Sequence, residues 1–349
     1  LKRDLKIPRQ HSESEIIDRV RLGSAASSAL RKRIQTVLAE AAPANTHAGD
    51  GLLITGAFWG VRGTGRFILR LKADGLTIGI FVHDILPIAR PEYFQANAGA
   101  ALAKPLVEGV ALADFLITSS SHNKKALAAY RSEQCLDPIP THVVPLGHAL
   151  PKSSGGNPDI GADLATLIGS DFVLCVGTIE TRKTAAYLHN IWKLMVDAGR
   201  DAIPTLVFAG RKGWLVEDFL EQLKACDYLD GRILLLHDLG DQALDLLYRH
   251  CLLTMFPSFE EGWGLPVGES LSHGKVCLAS GTGGIPEVGG PFVDYLDPYN
   301  IRDGYARLTD YLDNPGKRVR REEQIANQFS PRPWRSCADG IVGAVQEQM

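Results

Sequence analysis

The residues best suited to chemistry lie between positions 255 and 272, where an apolar run leads through a glycine-rich loop into a short helix. Pro266 stands where the first helical turn would begin, and Gly274 stands where a helix would end in a left-handed conformation. Glycines let the backbone approach a ligand closely, and a helix N-terminus offers free N–H groups and a positive dipole end. The pattern therefore predicts a phosphate or diphosphate site, with a plain tight turn as the alternative.

Two carboxylates flank this predicted anion site. Glu261 precedes the helix, and Glu269 lies in its first turns, from which a side chain leans back toward the helix N-terminus. The pair suits a ligand that carries hydroxyl groups as well as phosphate, because carboxylates accept hydrogen bonds from hydroxyls. The alternative is that the helix dipole alone favours an acidic residue in the first turns.

A second loop, from Gly177 to residue 183, supplies positive charge. It follows the apolar run 172–176 and carries the adjacent cations Arg182 and Lys183. Two cations at the carboxyl end of a strand suit a diphosphate, although a solvated basic loop is an equal alternative. The ligand interpretation requires this loop and the loop before Glu269 to face the same cleft.

Other polar residues also follow predicted strands. His83 ends one strand and could donate a hydrogen bond to a sugar hydroxyl or a leaving-group oxygen, although a lone histidine more often belongs to a core. Asp84 follows it and would also serve to pin the next loop. Ser120 follows another strand, Gly210 opens a basic loop that either meets a base or is only a turn, and Trp59 lies in a loose glycine-rich loop.

Composition and missing motifs disfavour several other functions. The net charge of -3 argues against a general attraction to nucleic acid, and no apolar run approaches membrane-spanning length. The sequence contains no G-x-x-x-x-G-K-[ST] phosphate loop and no Gly-x-Ser-x-Gly elbow. It also has no Asp-x-Asp, so no metal ion is predicted, and Arg and Lys side chains with the helix N-terminus would supply the positive charge.

Strand–helix alternation predicts an α/β protein with two Rossmann-like, doubly wound domains facing a cleft. The expected organisation is an N-terminal Rossmann-like domain over 1–150, a linker over 151–170, a C-terminal Rossmann-like domain over 171–330 and a closing helix over 331–349. The six scattered cysteines are expected to be reduced, as in a cytosolic protein. Strands are predicted at 52–55, 77–82, 115–118, 142–145, 172–176, 205–209, 233–236, 252–256 and 276–279, and the longer helices at 92–113, 184–198, 214–225, 241–250, 302–312 and 334–346.

Four stretches resemble one family. Residues 259–269 resemble the Glu-x7-Glu motif of retaining GT-B-fold glycosyltransferases, in particular glycosyltransferase family 4, and residues 176–183 resemble its phosphate-contact loop. Residues 82–94 resemble a signature of its bacterial polysaccharide and O-antigen members, and residues 281–287 resemble the loop after the motif helix. The resemblance spans roughly residues 51–330.

The resemblance implies a role for each matching residue. Glu261 would contact the donor sugar hydroxyls, Glu269 the nucleotide ribose, and His83 would lie near the donor sugar. The implied catalytic residues are His83, Arg182, Lys183 and Glu261. The implied donor-binding residues are Gly177, Arg182, Lys183, Gly210, Gly262, Gly264, Leu265 and Glu269. The acceptor-side candidates are Trp59, Asp84 and Ser120.

The sequence departs from the family pattern at several positions. Residues 1–50 contain no clear copy of the family's first strand and glycine-rich loop, so that unit is either missing or diverged. Thr178 stands where many members have Arg, which leaves Arg182 and Lys183 as the phosphate cations. Asn123 stands where many members have Ser.

The implied function is a retaining, metal-independent hexosyltransferase without a cofactor, whose partners are a nucleotide-sugar donor and a saccharide or lipid-linked acceptor. The favoured reaction moves mannose from GDP-mannose in cell-surface polysaccharide synthesis, with a UDP-sugar as the alternative donor. The rival interpretations are a non-catalytic binding or scaffold protein that needs a partner, and a phosphorylase-like or epimerase-like use of the two domains. The expected location is the cytoplasm, with a peripheral inner-membrane association as a further option.

Overall fold

The computed structural model describes residues 45–56, 63–149 and 161–349. Most of the poorly defined N-terminal segment lies outside the described residues, as does the acceptor-side candidate Trp59. The described chain forms two separate parallel sheets, joined by segments that run between them. Among the described residues, no helix combines the length and the apolar character needed to cross a bilayer.

The first sheet has four parallel strands in the order β1-β2-β3-β4. Its strands are β1 Gly51–Ile54, β2 Thr77–Phe81, β3 Phe115–Thr118 and β4 Thr141–Val143. The helices of this half are α1 Thr64–Ala73, α2 Leu86–Ala89, α3 Ala98–Leu112 and α4 Ser121–Glu133. Parallel pairing of consecutive strands through helical crossovers is the arrangement that the strand–helix alternation predicted.

The second sheet has six parallel strands in the order β10-β9-β8-β5-β6-β7. Its strands are β5 Phe172–Val176, β6 Thr205–Ala209, β7 Ile233–Leu236, β8 Leu253–Phe256, β9 Cys277–Ser280 and β10 Asp294–Leu296. The surrounding helices are α5 Gly161–Ile168, α6 Ala185–Asp197, α7 Glu217–Ala225, α8 Asp241–His250, α9 Leu265–Ser272, α10 Ile285–Gly289, α11 Ile301–Asp313 and α12 Pro315–Gln328.

The second sheet is buried on both faces. Val173 and Cys175 of β5 pack into one apolar cluster, which contains the fully buried Trp192, whereas Leu174 packs into another, which contains Tyr248. Successive side chains of a strand point to opposite faces, so a sheet covered by helices on both sides requires continuous apolar strands. The near-uniform apolar runs of the sequence follow from this requirement.

The last helix returns to the first sheet. Helix α13, Trp334–Gln346, contributes Cys337 and Ala344 to a cluster with Phe81 and Phe115. The chain therefore crosses between the two halves a second time after α12. Helix α5 lies inside the predicted linker, and its Leu167 packs on the second sheet with Tyr248.

The structure corrects parts of the predicted secondary structure. The long helix expected over 92–113 begins only at Ala98, because Asn97 adopts a left-handed φ of 68° and Pro91–Tyr93 form a short 3-10 turn. The short helix α2, Leu86–Ala89, was not predicted. Strand β10 and helix α12 were not predicted. Helix α12 buries Ile325 alone, and its sequence is mostly charged and polar, so it offers few apolar residues from which to predict it.

Candidate active site

Sheet order brings the two candidate loops together. Strand β5 pairs with β8 on one side, through Val173 and Leu253, and with β6 on the other, through Val176 and Ala209. Because parallel strands end at the same edge, the loops after β5, β6 and β8 are neighbours at the carboxyl end of the sheet. The loop that carries Arg182 and Lys183 and the loop that carries Glu261 therefore face the same site, as the ligand interpretation requires.

Glu261 lies between the two predicted cations. Its Oε1 is 2.5 Å from Nζ of Lys183, and its Oε2 is 2.7 Å from Nη1 of Arg182. Glu261 is only 7% exposed, so both ion pairs are largely removed from water. Backbone contacts hold the loops in register, since Phe259 donates its N–H to the Arg182 carbonyl at 2.9 Å. The loop after β8 is thus fixed against the cation loop.

The electrostatics of this cluster favour charged side chains. Burial by itself raises the pKa of Glu261, but Lys183 and Arg182 outweigh it and bring the pKa below its usual value. The pKa of Arg182 is correspondingly raised, because Glu261 and Glu180 more than offset the burial that lowers it. The site therefore holds an ionised carboxylate against two cations before any ligand arrives.

Glu180 is a buried partner that the sequence interpretation missed. It is 2% exposed, and its Oε1 is 2.6 Å from Nη2 of Arg182. Burial raises its pKa against the lowering effect of Arg182 and Lys183. Arg182 also donates from Nη1 to the Glu260 carbonyl at 2.6 Å. Its guanidinium is thus anchored from two sides, which orients it for bidentate contact with an anion.

Gly177 and Gly210 let the neighbouring strand ends come into close contact. Gly177 has a φ of 136°, and a Cβ there would lie 3.6 Å from Nζ of Lys183. A Cβ on Gly210 would lie 2.0 Å from the Gly177 carbonyl oxygen, which no side chain can occupy. Gly210 itself accepts a hydrogen bond at 2.6 Å from Nδ1 of His237. Gly210 is therefore required by packing, and Gly177 by its positive φ, whatever ligand is bound.

The motif helix begins as predicted. Gly264 is its N-cap residue with a φ of 102°, and helix α9 starts at Leu265 with a proline in its first turn. Gly264 has no side chain to accept the first helical N–H groups, so these donors remain suited to an anion. Gly274 ends the helix with a φ of 70°. Gly262 lies just before this N-terminus and contacts the first half of the chain.

Glu269 has a partner that the sequence did not indicate. Its Oε2 accepts a hydrogen bond from the Tyr248 hydroxyl at 2.8 Å. Burial raises the pKa of Glu269, and the Tyr248 hydrogen bond partly opposes this rise. Tyr248 lies on α8 and is fully buried, so it holds Glu269 in one orientation. Lys183 also lowers the pKa of Glu269, which connects this carboxyl electrostatically with the cation cluster.

The first half contributes a cavity beside the motif loop. The cavity has a volume of about 560 Å³ and is lined by Gly56, His83, Asp84, Pro87, Ala98, Ala101 and Leu102. His83 is exposed, with Nε2 3.2 Å from the Thr55 carbonyl oxygen. Asp84 accepts the Leu86 N–H at 3.1 Å, and burial raises the pKa of its carboxyl. A Cβ on Gly262 would lie 3.1 Å from Cβ of Asp84, so the cavity adjoins the donor-side loop.

Ser120 lies between the two halves. Its hydroxyl is fully buried, donates to the Gly262 carbonyl at 2.8 Å and accepts the Asn123 N–H at 3.0 Å. The first contact joins the two halves, the second caps helix α4, and Ser120 is not among the residues that line the cavity. Within the described residues, no group of three or more His, Cys, Asp and Glu side chains is arranged to hold a metal ion. All six cysteines are free thiols.

Comparisons with known proteins agree with this geometry. Residues 165–328 match the sequence profile of the family described as Glycosyl transferases group 1. The O-antigen chain mannosyltransferase B of Escherichia coli is 26% identical over 265 residues, covering 75% of this chain and 68% of that protein. The serotype-specific mannosyltransferase WbdA of Escherichia coli is 31% identical over 212 residues, covering 57% of this chain and 25% of that protein.

Solved structures share the fold. The crystal structure of Anabaena HepE in complex with UDP-glucose has a TM-score of 0.65 and 17% identity, covering 84% of this chain and 78% of that chain. The two parallel Rossmann-like halves form the GT-B fold that these structural neighbours share, as the motifs predicted. The chain carries a Glycosyl transferases group 1 domain over residues 165–328, and the expectation of a hexosyltransferase is confirmed.

Proposed function

We propose that the chain is a retaining mannosyltransferase that transfers mannose from GDP-mannose to a saccharide or lipid-linked saccharide acceptor. The observation that carries the proposal is the convergence of Arg182 and Lys183 on Glu261 at the carboxyl ends of adjacent strands. Two relatives that cover different shares of the chain are mannosyltransferases, which supports mannose as the sugar. One of them acts on an O-antigen chain, which supports a cell-surface polysaccharide acceptor.

The cation pair gives the leaving diphosphate its stabilisation. Breaking the bond between the sugar and the diphosphate places negative charge on the departing phosphate oxygens. Glu180 and the Glu260 carbonyl hold Arg182 independently of the Glu261 side chain, so this cation stays oriented while that charge develops. Preorganised charge of this kind is the largest single contribution in many enzymes. No carboxylate-held metal is required, and the helix N-terminus at Leu265 adds further positive potential.

The two motif carboxylates take different roles. The donor diphosphate replaces Glu261 at the two cations, and Glu261 then accepts hydrogen bonds from sugar hydroxyls. Glu269, held by Tyr248 at 2.8 Å, accepts hydrogen bonds from the ribose. His83 lies at the edge of the first-half cavity and donates a hydrogen bond to the donor sugar. The acceptor enters through that cavity, beside Asp84.

Retention of anomeric configuration follows from entry and departure on one face. In this proposal the acceptor hydroxyl approaches the face that the diphosphate leaves, and a diphosphate oxygen takes the hydroxyl proton. The sugar–oxygen bond to the acceptor forms as the bond to the diphosphate breaks, so no protein nucleophile is needed. The stereochemistry of the product, read by nuclear magnetic resonance, distinguishes this course from inversion.

The donor is tested by thermal shift and by donor hydrolysis, neither of which needs a known acceptor. GDP-mannose and GDP are expected to raise the melting temperature, because a ligand that binds only the folded state stabilises it by mass action. UDP-glucose is the comparison donor, since HepE carries it on the same fold. A larger shift with UDP-glucose would replace GDP-mannose by a UDP-sugar. Binding without hydrolysis or transfer would favour a scaffold protein, and no shift with any nucleotide would refute the donor site.

A further inference from the structure

The N-terminus of helix α4, in the first half, contacts the motif loop of the second half. The Gly262 carbonyl accepts two hydrogen bonds across the junction, from Ser120 Oγ at 2.8 Å and from Asn123 Nδ2 at 3.0 Å. Asn123 is 4% exposed, and Nδ2 also contacts Oγ of Ser119 at 2.9 Å. The buried donors of Ser120 and Asn123 are thus hydrogen-bonded, and separating the two halves would leave the donors to Gly262 without that partner.

A carboxylate from the second half occupies the same helix N-terminus. Oε2 of Glu287 accepts the Ser121 N–H at 2.8 Å, and Oε1 accepts the His122 N–H at 2.8 Å. The first N–H groups of a helix lack partners within the helix and favour negative charge. Such a cap normally comes from the same segment of chain. Here Ser120 caps the Asn123 N–H, and the two amides before it are satisfied from the other half.

A charged pair completes the junction. Glu260 lies 2.9 Å from Nε2 of His122 through Oε1 and 3.5 Å from Nε of Arg90 through Oε2. Glu260 therefore joins two elements of the first half. The two residues that flank Glu261 in the chain, Glu260 and Gly262, therefore both contact the first half. The Glu261 carbonyl in turn accepts the Gly284 N–H at 2.8 Å.

We propose that Ser120, Asn123 and Glu287 form an interdomain latch that positions Glu261 for the proposed transfer. Closing the two halves would then set the backbone on either side of Glu261 and place its carboxylate beside the first-half cavity. Glu287 and Asn123 are positioning residues, since neither contacts the cation cluster. The latch deepens the proposed function and rests on it for its catalytic consequence, although the contacts between the halves are independent of any donor.

Close packing at Gly262 supports this assignment. A Cβ added there would lie 3.1 Å from Cβ of Asp84 and 3.2 Å from Nδ2 of Asn123. Contacts of that length are tighter than ordinary van der Waals distance, so the halves meet at the limit of approach. A side chain at Gly262 would require the side chains of Asp84 and Asn123 to move by a few tenths of an ångström. The steric limit and the latch share Asn123, whose Nδ2 also donates to the Gly262 carbonyl.

The test compares Glu287→Ala and Glu287→Gln with a matched control, Asn300→Ala. Asn300 caps helix α11 within the second half, accepting the Arg302 N–H at 3.1 Å and the Asp303 N–H at 3.3 Å. Removing it breaks a cap of the same kind without touching the junction. The readouts are kcat for GDP-mannose hydrolysis, the Kd for GDP, and the radius of gyration from small-angle X-ray scattering at low salt.

Glu287→Ala is expected to lower kcat about tenfold, leave the Kd for GDP within about twofold, and enlarge the radius of gyration, since each hydrogen bond to a charged group contributes on the order of a factor of ten. Glu287→Gln keeps one acceptor oxygen and should recover part of kcat. Asn300→Ala should change only the melting temperature. An unchanged kcat and radius of gyration in Glu287→Ala, or an equal loss in Asn300→Ala, would overturn the latch. If wild-type protein neither binds GDP nor hydrolyses GDP-mannose, the proposed function fails, and the scattering comparison alone decides the latch.

Discussion

The two surfaces that meet at the junction differ in how their polar groups are satisfied. On the second half, Arg182, Lys183, Glu180 and Glu261 are all buried or nearly so and pair with one another. On the first half, the cavity of about 560 Å³ is lined mainly by small and apolar residues, with His83 and Asp84 as its polar members. One surface is charged and internally paired, whereas the other is an open, mostly apolar space.

This difference suits donor binding at the charged surface and acceptor binding in the first-half cavity. A set of two cations and two carboxylates carries no net charge, so it is tolerated in a buried site, and a diphosphate can still replace Glu261. The candidate donors, GDP-mannose and UDP-sugars, carry the same negatively charged diphosphate, so cations held in fixed positions suit its binding. The first-half cavity offers shape and few fixed charges, which suits recognition of an acceptor by its surface. Variants on the two surfaces should therefore separate donor from acceptor effects.

The largest expected effect is on the charged surface, in Lys183→Ala. Removing one preorganised cation should lower kcat for GDP-mannose hydrolysis or transfer by about 10²–10³, in line with the loss of an oxyanion donor. The matched control is Lys193→Ala, whose ammonium pairs with Asp197 at 2.8 Å on an exposed face of α6. The control should keep full activity. Turnover of Lys183→Ala near that of the control would remove the diphosphate role from this surface.

A variant in the cavity should have the complementary effect. Ala98 lines the cavity, and Ala98→Phe would fill part of it. Once an acceptor is identified, the KM for that acceptor should rise about tenfold or more in Ala98→Phe. The Kd for GDP should stay unchanged, because Arg182 and Lys183 do not line this cavity. The matched control is Ala73→Phe, an exposed position at the end of α1. Weaker binding of GDP by Ala98→Phe would show that the cavity also contributes to donor binding.

The glycine pair gives a prediction about stability. Gly210→Ala places a Cβ 2.0 Å from the Gly177 carbonyl oxygen, so the ends of β5 and β6 must separate. Overpacking of this kind costs typically about 1–3 kcal/mol, which thermal unfolding detects. Gly240→Ala is the control, because a Cβ there meets nothing within 4 Å. Equal melting temperatures for the two variants would contradict the packing requirement.

The smallest expected effect is on the pH dependence of the contact between His122 and Glu260 at the junction. The hydrogen bond with Glu260 raises the pKa of His122, so that contribution is lost as the pH rises through the raised value. The same hydrogen bond lowers the pKa of Glu260, and that contribution is lost as the pH falls through the lowered value. Glu287 and Lys125 also act on His122, and Arg90 acts on Glu260. The contact is therefore strongest between these two pKa values.

The measurement for this prediction is the pH profile of kcat in the wild type and in His122→Asn. A loss of a few-fold on the alkaline side is expected in the wild type, because His122 keeps contact with solvent and such an ion pair contributes about 1 kcal/mol. His122→Asn should lack that alkaline loss, since asparagine does not titrate. An identical alkaline limb in both proteins would assign the titration to another group.

The sequence predicted the charged surface well because its evidence is local. Arg182, Lys183 and Glu261 each follow an apolar strand, and the carboxyl ends of neighbouring parallel strands lie together. Glu180 was missed although it lies in the same loop, because its burial depends on the 3-10 turn Thr181–Lys183 and the left-handed Thr184. Tyr248 was missed because its contact with a carboxyl 21 residues away depends on helix packing.

The junction between the halves could be predicted only in part. Asn123 and the loop before Glu287 were noticed as sequence features. Their partners are distant in sequence, because Asn123 bonds to Gly262, 139 positions away, and Glu287 bonds to Ser121, 166 positions away. Local patterns do not encode such a distance. The alanine-rich run was predicted to be helical from residue 92, and the left-handed Asn97 shows that one backbone conformation overrode its helix propensity. The assigned roles of individual site residues stay predictions until they are measured.

The central claim is that Glu261 holds two cations whose physiological partner is a diphosphate. The most direct measurement is the Kd for GDP, by isothermal titration calorimetry, in the wild type, Lys183→Ala and Glu261→Gln. The two variants should shift the Kd for GDP in opposite directions. Lys183→Ala should bind GDP at least tenfold more weakly, and Glu261→Gln should bind it more tightly, because the competing carboxylate is gone. Equal affinities in all three proteins, or weaker binding in Glu261→Gln, would contradict the claim.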